Sequence, residues 1–471
     1  MQSNRPPIGL LATFLIGFLI LRLTLSAWLP VMEFTEARYA EISRKVLIDG
    51  DWITLWFYLD QPFWGKPPLA FWSVATSYLV LGVNEFATRI SSTLYTLGTA
   101  ALVYTLARRL DPARGWASVV TYLSFWLVLH TAGTILTDPA LVFSTTLVMV
   151  SFWLAVEQQL ARWGWLVWVG LGLGLLSKGP LAIAICGGAC GLWVLVNHRW
   201  VAFYRNAHLF SGPAIMLAIA VPWYYLAEQE TPGFLQYFLV GEHFERYVTA
   251  EWAGDPYGSV KDRPPGTIWI YFLVACLPWS PLVVWWFGRR ANRRVFRQAL
   301  TSDDRPLISY LLIWALWPCV FFTPAQNVLV TYILPGMPAA AILVAWFSSK
   351  PPYRTATATM VLFFAASLGV YFFHFDEHRY NARAFVDEYH RLNEREPGPL
   401  VITGDKKFSI MFYTGNQVVF SKNPRPLWAT GKVVYVGVRD RWLEGQRRSM
   451  GSHCRSVFYS NDLTLFRCGP G

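Results

Sequence analysis

The stretch that decides the fold is IGLLATFLIGFLILRLTLSAWL, residues 8–29, in which Arg22 is the one charged side chain. A membrane-spanning helix needs about 20 mostly apolar residues, so this stretch predicts a transmembrane helix. Arg22 lies close enough to the predicted outer end for its side chain to reach the interface. An arginine within a span is also a candidate functional residue.

The same length rule predicts transmembrane helices along most of the chain. They are expected near residues 86–107, 115–130, 137–156, 163–177, 179–197, 208–227, 267–288, 307–323, 328–347 and 355–373. The composition agrees, because 54% of the 471 residues are hydrophobic and only 15% are charged, whereas soluble domains carry about 25% charged residues. We therefore predict an all-α polytopic membrane protein with about 11–13 transmembrane helices.

The net charge of +11 is explained by arginines and lysines in the short loops on one side of the predicted spans. Cytoplasmic loops of membrane proteins are enriched in these residues. This orients the chain with loops 30–66 and 228–266 on the outer side of the membrane. We expect a bacterial inner membrane, with these loops in the periplasm and membrane lipids as partners. No zinc-ligand spacing or basic, aromatic-rich motif is present, so no nucleic acid is expected to bind.

Two segments of the first outer loop are expected to be interfacial helices. Residues 36–48 have helical periodicity, with apolar and charged residues on different faces. Residues 67–83 are apolar enough to span the membrane, but a span there would invert every later loop against the distribution of arginines. We therefore place this second segment along the outer surface.

The composition changes after residue 373, which suggests a transmembrane domain over 1–373 and a second domain over 374–471. Strand-like runs at 399–403, 432–438 and 463–467 alternate with helical patterns, as in a small α/β domain. The number of preceding spans puts this domain in the periplasm. Because that compartment is oxidising, Cys454 and Cys468 are expected to form a disulfide across a terminal hairpin.

Several short motifs resemble those of one family. The first outer loop reads TEARYAEIS at 35–43, GDW at 50–52 and GKPP at 65–68, and resembles the first outer loop of the aminoarabinose transferases. These belong with the protein O-mannosyltransferases among multi-spanning glycosyltransferases with polyprenyl-phosphate donors. TDPA at 137–140, SKGP at 177–180, EHFER at 242–246 and YILP at 332–335 continue the resemblance in order.

The resemblance implies transfer of a sugar from an undecaprenyl-phosphate donor to an envelope acceptor, which is lipid A or another glycolipid or glycan. Such a site must stabilise the phosphate that leaves, and cations near it would do so. Lys66, Lys178 and Arg246 are the candidates for binding the donor phosphate, and their side-chain nitrogens should converge to line one cavity that opens to the outer leaflet. Two of these residues have an alternative, purely structural interpretation. Lys178 could extend its side chain to the membrane interface, and Arg246 could form an ion pair with Glu242 or Glu245.

The acidic candidates depart from the family pattern. The family begins the first loop with an acidic pair whose first member is tied to catalysis, and this chain has Thr35 at that position. We therefore expect Glu36 and Asp138 to be the catalytic carboxylates, with Glu33 as a further candidate. An acceptor that is already ionised, such as a phosphate, would need no base.

A cofactor is not expected to be required. In the family a glutamate just before the loop lysine joins the histidine of the second loop at a metal, and here that glutamate is replaced by Gly65. His243 remains a candidate metal ligand. Two other function classes stay open, namely a catalytically degenerate lipid-binding relative and a transporter of lipid-linked sugars. Transporters usually show paired half-repeats and charges deep in several spans, which this sequence lacks.

Overall fold

The structure is a computed structural model that describes most of the chain. The described residues are 8–58, 61–110, 112–249, 254, 256–257, 263–348, 353–370, 372–373, 382–404, 407–421, 432–450, 453–460 and 462–469. Within them the chain forms a helical bundle followed by a small domain with a β-sheet.

The bundle consists of eighteen α-helices among the described residues. They are α1 (Ile8–Trp28), α2 (Thr35–Ile48), α3 (Leu69–Leu81), α4 (Glu85–Leu110), α5 (Pro112–Leu123), α6 (Trp126–Thr131), α7 (Asp138–Val156), α8 (Gly164–Lys178), α9 (Leu181–Asn197), α10 (Trp200–Asn206), α11 (Gly212–Glu230), α12 (Arg246–Val248), α13 (Thr267–Ala275), α14 (Trp279–Gly288), α15 (Arg290–Ala299), α16 (Arg305–Phe322), α17 (Met337–Phe347) and α18 (Tyr353–Val370). Three other helical segments are the 3₁₀-helices Ala161–Trp163 and Val330–Gly336 and the π-helix Gln236–Glu245.

The prediction of a polytopic helical membrane protein is confirmed, since every predicted span contains a helix. Six described segments are long and apolar enough to cross a membrane: Ile8–Trp28, Glu85–Arg109, Asp138–Val156, Arg305–Phe322, Val330–Phe347 and Tyr353–Val370. The bent pair α13 and α14 makes up to seven. Several other apolar helices are shorter, so the total number of crossings stays a prediction.

Two predicted spans are broken rather than continuous. The segment 267–288 forms α13 and α14, which meet at an angle of 101°, and Pro278 explains the break because proline lacks an N–H and disfavours helix at the residue before it. The segment 115–130 is divided between α5 and α6. The two segments expected to be interfacial, 36–48 and 67–83, form α2 and α3.

Helix α7 lies at the centre of the bundle, and nearly all of its residues are buried. Its antiparallel neighbour α8 approaches closely through glycines. A Cβ atom added at Gly170 would lie 2.7 Å from the Val148 side chain of α7, and one at Gly174 would lie 2.6 Å from Ala182 of α9. Small residues at this spacing let helices pack at short distance. The close packing brings the end of α8 beside the start of α7.

The C-terminal part is an α/β unit, as predicted. It contains α19 (Arg383–Arg395), α20 (Phe408–Tyr413) and α21 (Asp440–Met450), with β1 (Leu400–Thr403), β2 (Val418–Phe420), β3 (Val434–Arg439), β4 (Cys454–Ser460) and β5 (Leu463–Cys468). The sheet order is β2-β1-β3-β5-β4. Strand β1 pairs in parallel with both β2 and β3, whereas β5 pairs antiparallel with β3 and β4.

The predicted disulfide is confirmed, because Cys454 and Cys468 are bonded between β4 and β5. The four other cysteines are free and buried, as expected for small core residues: Cys186, Cys190, Cys276 and Cys319. The predicted domain boundary at 373/374 adjoins residues 374–381, which lie outside the described residues. That boundary stays a prediction.

The α/β unit packs directly on loop 30–66. The Ser409 N–H donates to Glu33 Oε1 at 2.6 Å, and the Tyr413 hydroxyl accepts from the Val31 N–H at 2.8 Å. The rings of Tyr58 and Phe408 stack with centroids 5.4 Å apart. The first loop is therefore held between the bundle and the α/β unit.

Arg89 of α4 organises the end of the first helix. Its guanidinium makes a bidentate ion pair with Glu36, at 2.8 and 2.9 Å. It also donates to the carbonyls of Ser26, Leu29 and Pro30 at 2.6–3.0 Å. These contacts satisfy carbonyl groups at the C-terminal end of α1, which would otherwise lack partners within the helix. Arg89 thus joins α1, α2 and α4.

We expect Arg89→Ala to lower the free energy of unfolding by about 3–5 kcal/mol, because it leaves the buried Glu36 carboxylate without its cation. The thermal unfolding midpoint of the purified protein in detergent measures this. Arg354→Ala serves as the control, since Arg354 is exposed on α18, and it should leave the midpoint unchanged. Equal midpoints for the two variants would contradict a structural role of the Arg89–Glu36 pair.

Candidate functional site

A buried ion pair lies where α7 begins and α8 ends. Lys178 Nζ donates to Asp138 Oδ1 at 2.6 Å, and both side chains are less than a tenth exposed. Asp138 occupies the first turn of α7 and Lys178 the last turn of α8. A carboxylate at a helix N-terminus and a cation at a C-terminus both interact favourably with the helix dipoles. The antiparallel packing of the two helices therefore places this pair.

A second carboxylate joins the two other predicted cations. Glu242, in the π-helix Gln236–Glu245, accepts hydrogen bonds from Lys66 and from Arg246, the latter at 2.9 Å to each oxygen. Burial raises the pKa of Glu242, but the charges of Lys66 and Arg246 outweigh it and hold the pKa below its usual value. The ion pair of Arg246 with Glu242, left open as an alternative from the sequence, is thus formed.

His243 links the two ion pairs through the backbone. Its Nδ1 lies 2.7 Å from the Phe238 carbonyl oxygen, and its Nε2 lies 3.0 Å from the Lys178 carbonyl oxygen. The neighbouring Gly179 has φ +69°, and a Cβ atom there would lie 2.7 Å from the Phe238 ring. Only glycine fits this turn without strain. The turn after Lys178 and the π-helix that carries Glu242 are therefore held together.

Tyr332 completes the cluster. Lys178 Nζ lies 5.2 Å from the centroid of the Tyr332 ring, close enough for a cation–π interaction. Tyr332 lies in the 3₁₀-helix Val330–Gly336, which precedes α17. The sequence analysis quoted the motif at 332–335 but gave its tyrosine no role. The available signal was an aromatic hydroxyl at the outer end of a predicted span.

We call Lys66, Asp138, Lys178, Glu242, His243, Arg246 and Tyr332 the cation cluster. It contains three cations and two carboxylates, so one positive charge remains when His243 is neutral. Lys66 and Arg246 meet on Glu242, and the Lys178 backbone carbonyl contacts His243. That the side-chain nitrogens of all three cations line one cavity stays a prediction. Like charges repel, so cations gather when anions hold them. The excess positive charge suits the cluster to bind a further anion.

The remaining predicted site residues make their contacts elsewhere. The Glu36 carboxylate accepts hydrogen bonds from Arg89 and from the Met32 N–H, and Glu33 accepts from the α/β unit through Ser409. The buried Arg22 donates from NH1 to the Leu129 carbonyl at 3.0 Å. None of the contacts described for Glu33, Glu36 and Arg22 reaches a residue of the cation cluster.

The described residues do not fit a metal site at His243. Both ring nitrogens face main-chain carbonyls, and no group of three or more His, Cys, Asp or Glu side chains with suitable spacing occurs among them. The position before Lys66 is Gly65, which offers no ligand. Histidine ligation would require the ring to give up one of its two carbonyl contacts. The geometry therefore assigns His243 to holding the backbone.

A surface cavity of about 390 Å³ lies between the two outer loops. Its lining residues are Gln61, Pro62, Trp64, Tyr237, Gly254, Pro256 and Tyr257. The Tyr257 ring also lies close to Gly65, next to Lys66. The lining includes none of the three cations of the cluster, so the cavity is a neighbour of the cluster and the two are separate features.

Comparison with known proteins finds arabinosyl transferases among the relatives. The family model described as dolichyl-phosphate-mannose-protein mannosyltransferase matches residues 8–238. The chain is 33% identical, over 71% of its length, to the undecaprenyl phosphate-alpha-4-amino-4-deoxy-L-arabinose arabinosyl transferase of Pseudomonas savastanoi pv. phaseolicola. It is 31% identical, again over 71%, to that of Pseudomonas paraeruginosa. The matches span 60% and 58% of these curated relatives.

A solved structure shares the fold. The crystal structure of ArnT from Cupriavidus metallidurans bound to undecaprenyl phosphate superposes with a TM-score of 0.79 at 20% identity, covering 99% of this chain and 100% of that chain. The similarity therefore includes both the bundle and the α/β unit. The chain belongs to the family of multi-spanning membrane glycosyltransferases related to the aminoarabinose transferases and the protein mannosyltransferases.

Proposed function

We propose that the protein transfers a sugar from an undecaprenyl-phosphate donor to an acceptor of the cell envelope, which is lipid A or another glycolipid or glycan. The observation that carries the proposal is the cation cluster, with its three cations and excess positive charge. The names of the relatives, which are undecaprenyl-phosphate-dependent arabinosyl transferases, support the class of donor. We place the reaction on the periplasmic side of a bacterial inner membrane.

In the proposed reaction the bond between the anomeric carbon and the donor phosphate oxygen breaks. Its electron pair stays on the phosphate, while an acceptor oxygen bonds to the anomeric carbon. The charge that develops on the phosphate is stabilised by Lys66 and Arg246, which exchange the Glu242 carboxylate for phosphate oxygens. Lys178 supplies the third positive charge from its place beside Asp138.

Asp138 is the carboxylate that we propose as proton acceptor for an acceptor hydroxyl. Glu36 is a poor choice, since three donors occupy its carboxylate: two guanidinium nitrogens of Arg89 and the Met32 N–H. Lys66 and Arg246 hold the pKa of Glu242 below its usual value and so make it a weak proton acceptor, whereas Asp138 pairs with one cation, Lys178. An ionised acceptor such as a phosphate would carry no proton and would need no base.

A second candidate is a protein that binds the lipid-linked donor without turnover. Thr35 and Gly65 favour it, because they replace two acidic residues of the family pattern. Donor binding by the cation cluster is common to both candidates, so only a transfer assay separates them. A wild-type protein that binds undecaprenyl phosphate but transfers no sugar would support the second.

We expect Lys178→Ala to lower turnover by roughly 10²–10³-fold, because one cation near the leaving phosphate is lost. The assay measures sugar transfer from undecaprenyl-phosphate-linked 4-amino-4-deoxy-L-arabinose to lipid A in nanodiscs. Lys432→Ala, an exposed lysine of the α/β unit, is the control and should keep full turnover. The double variant Asp138→Ala, Lys178→Ala removes both buried charges. It should therefore be more stable than Lys178→Ala and still be inactive. Unchanged turnover in Lys178→Ala would refute the assignment.

The pH dependence of the free energy of unfolding should show the titration of His243. Burial lowers the pKa of His243 below its ordinary value of 6.5. The carbonyls of Phe238 and Lys178 oppose this only partly, although the neutral ring can donate to just one of them and the charged ring to both. Below about pH 6.5 the unfolded chain therefore binds a proton that the folded protein excludes. The free energy of unfolding then decreases as the pH is lowered, until the pH reaches the lowered pKa of His243. The slope is at most about 1.4 kcal/mol per pH unit.

We expect His243→Gln to flatten this slope, because glutamine donates a hydrogen bond without titrating. The range to measure is pH 6.5 to 4.5, whose limits are the ordinary pKa values of His243 and Glu242. Thermal unfolding midpoints in detergent across this range measure the effect. His390→Gln is the control, since His390 is exposed on α19, and should behave as the wild type. A wild-type slope in His243→Gln would contradict the burial of a neutral histidine.

The periplasmic orientation is tested with two exposed positions, Glu444 of α21 and Gln298 of α15. The four free cysteines are buried, so an introduced cysteine is the main target of an impermeant thiol reagent. We expect Glu444→Cys to react in intact spheroplasts and Gln298→Cys only after lysis. The reverse pattern would invert the topology and place the cation cluster in the cytoplasm.

A further inference from the structure

Helix α15 separates its charged and apolar residues on opposite faces. At about 100° per residue, Arg290, Arg293, Arg294 and Arg297 fall within an arc of roughly 100°, and all four are exposed. Val295 and Phe296 lie on the other side of the helix. This is the pattern of a basic amphipathic helix at a surface.

The four arginines have no carboxylate partner among the residues that the structure describes. The ion pairs found there involve other arginines and lysines: Arg44, Lys66, Arg89, Lys178, Arg199, Arg246, Arg383, Arg391, Lys407, Arg439 and Arg467. Unneutralised charges of one sign on a single face repel one another. An external anion bound to this face would reduce that repulsion and stabilise the helix.

Aromatic contacts fix α15 to the bundle. The Phe296 ring lies 5.1 Å from the Phe287 ring of α14 and 5.5 Å from the Phe347 ring at the end of α17. Tyr332 of the cation cluster lies at the other end of the same helical segment, Val330–Phe347. Fifteen residues of helix separate Tyr332 from Phe347, which is about 22 Å. Helix α15 therefore lies at the end of the bundle opposite the cation cluster.

The surface next to α15 is apolar and exposed. In the adjoining helix α14, Leu282 is 45%, Val284 64% and Trp285 58% exposed. The guanidinium of Arg289, between the two helices, lies 3.9 Å from the Trp285 ring centroid. Exposed apolar side chains beside tryptophan and arginine are typical of a membrane surface. An acidic protein or a nucleic acid would match the charges but would leave this apolar surface uncovered.

We propose that the basic face of α15, formed by Arg290, Arg293, Arg294 and Arg297, binds the headgroups of anionic phospholipids. The apolar residues of α14 enter the hydrocarbon, and the arginines contact phosphate oxygens above it. The site anchors the end of α17 that lies farthest from Tyr332. This inference goes beyond the proposed transfer reaction and does not depend on it.

The experiment measures lipid binding to the full chain by native mass spectrometry. Phosphatidylglycerol or phosphatidylcholine is titrated into detergent micelles that contain the purified protein, and apparent affinities are compared. The wild type should bind phosphatidylglycerol more tightly than phosphatidylcholine. Changing all four arginines to glutamine should reduce that preference by roughly tenfold or more. Changing all four to lysine keeps the charge and should retain most of it.

A matched control removes the same charge at the other end of the molecule. Arg391, Arg395, Arg441 and Arg455 are exposed in the α/β unit, and changing them to glutamine should leave the preference intact. An undiminished preference in the α15 glutamine variant would overturn the proposal. Equal binding of both lipids by the wild type would also overturn it, and would leave an acidic protein or nucleic acid as the occupant. Thermal midpoints establish that each variant is folded.

Discussion

The structure depends on burying a lysine and an aspartate at one end of a closely packed pair of helices. Removing two charges from water costs several kcal/mol per ion, and their attraction repays this only with good geometry. Lys178 and Asp138 have that geometry because α7 and α8 are antiparallel and in close contact. A hydrophobic pair of similar volume would often be equally stable. Stability alone therefore does not require two charges at this position.

Glu242 is the anion that holds two cations of the cluster together. Lys66 and Arg246 come from loops far apart in sequence and would repel each other without an anion between them. The carboxylate between them removes much of that repulsion. The backbone contacts of His243 keep this carboxylate at a fixed place beside Lys178.

The sequence predicted the features that depend on local pattern. Span positions follow from apolar length, and the pairing of Cys454 with Cys468 agrees with the turn signal between two strand-like runs. The convergence of Lys66 with Arg246 was expected because a shared anion gives cations a reason to gather.

The sequence could not predict features that depend on distant partners. The partner that occupies Glu36 is Arg89, 53 residues away on another helix, and no local pattern indicates it. Glu33 is likewise bound to a residue 376 positions later. Glu242 was recognised only as a possible neighbour of Arg246, since its contact with Lys66 requires two loops to meet. The position of Tyr332 below Lys178 also arises only from packing.

The α/β unit gains a role from its contacts with the first loop. Phe408 packs on the rings of Phe57 and Tyr58, with centroids 5.1 and 5.4 Å apart. The same loop then returns towards the bundle, where the Tyr257 hydroxyl of the second outer loop bonds to Pro62 and Trp64.

Lys66 follows two residues after Trp64, so its ammonium is placed by a loop that the α/β unit holds from one side and Tyr257 from the other. A lysine on an unsupported loop would lose conformational freedom on binding an anion, and the supported one has already lost it on folding. The distant domain thereby contributes to the cation cluster without touching it.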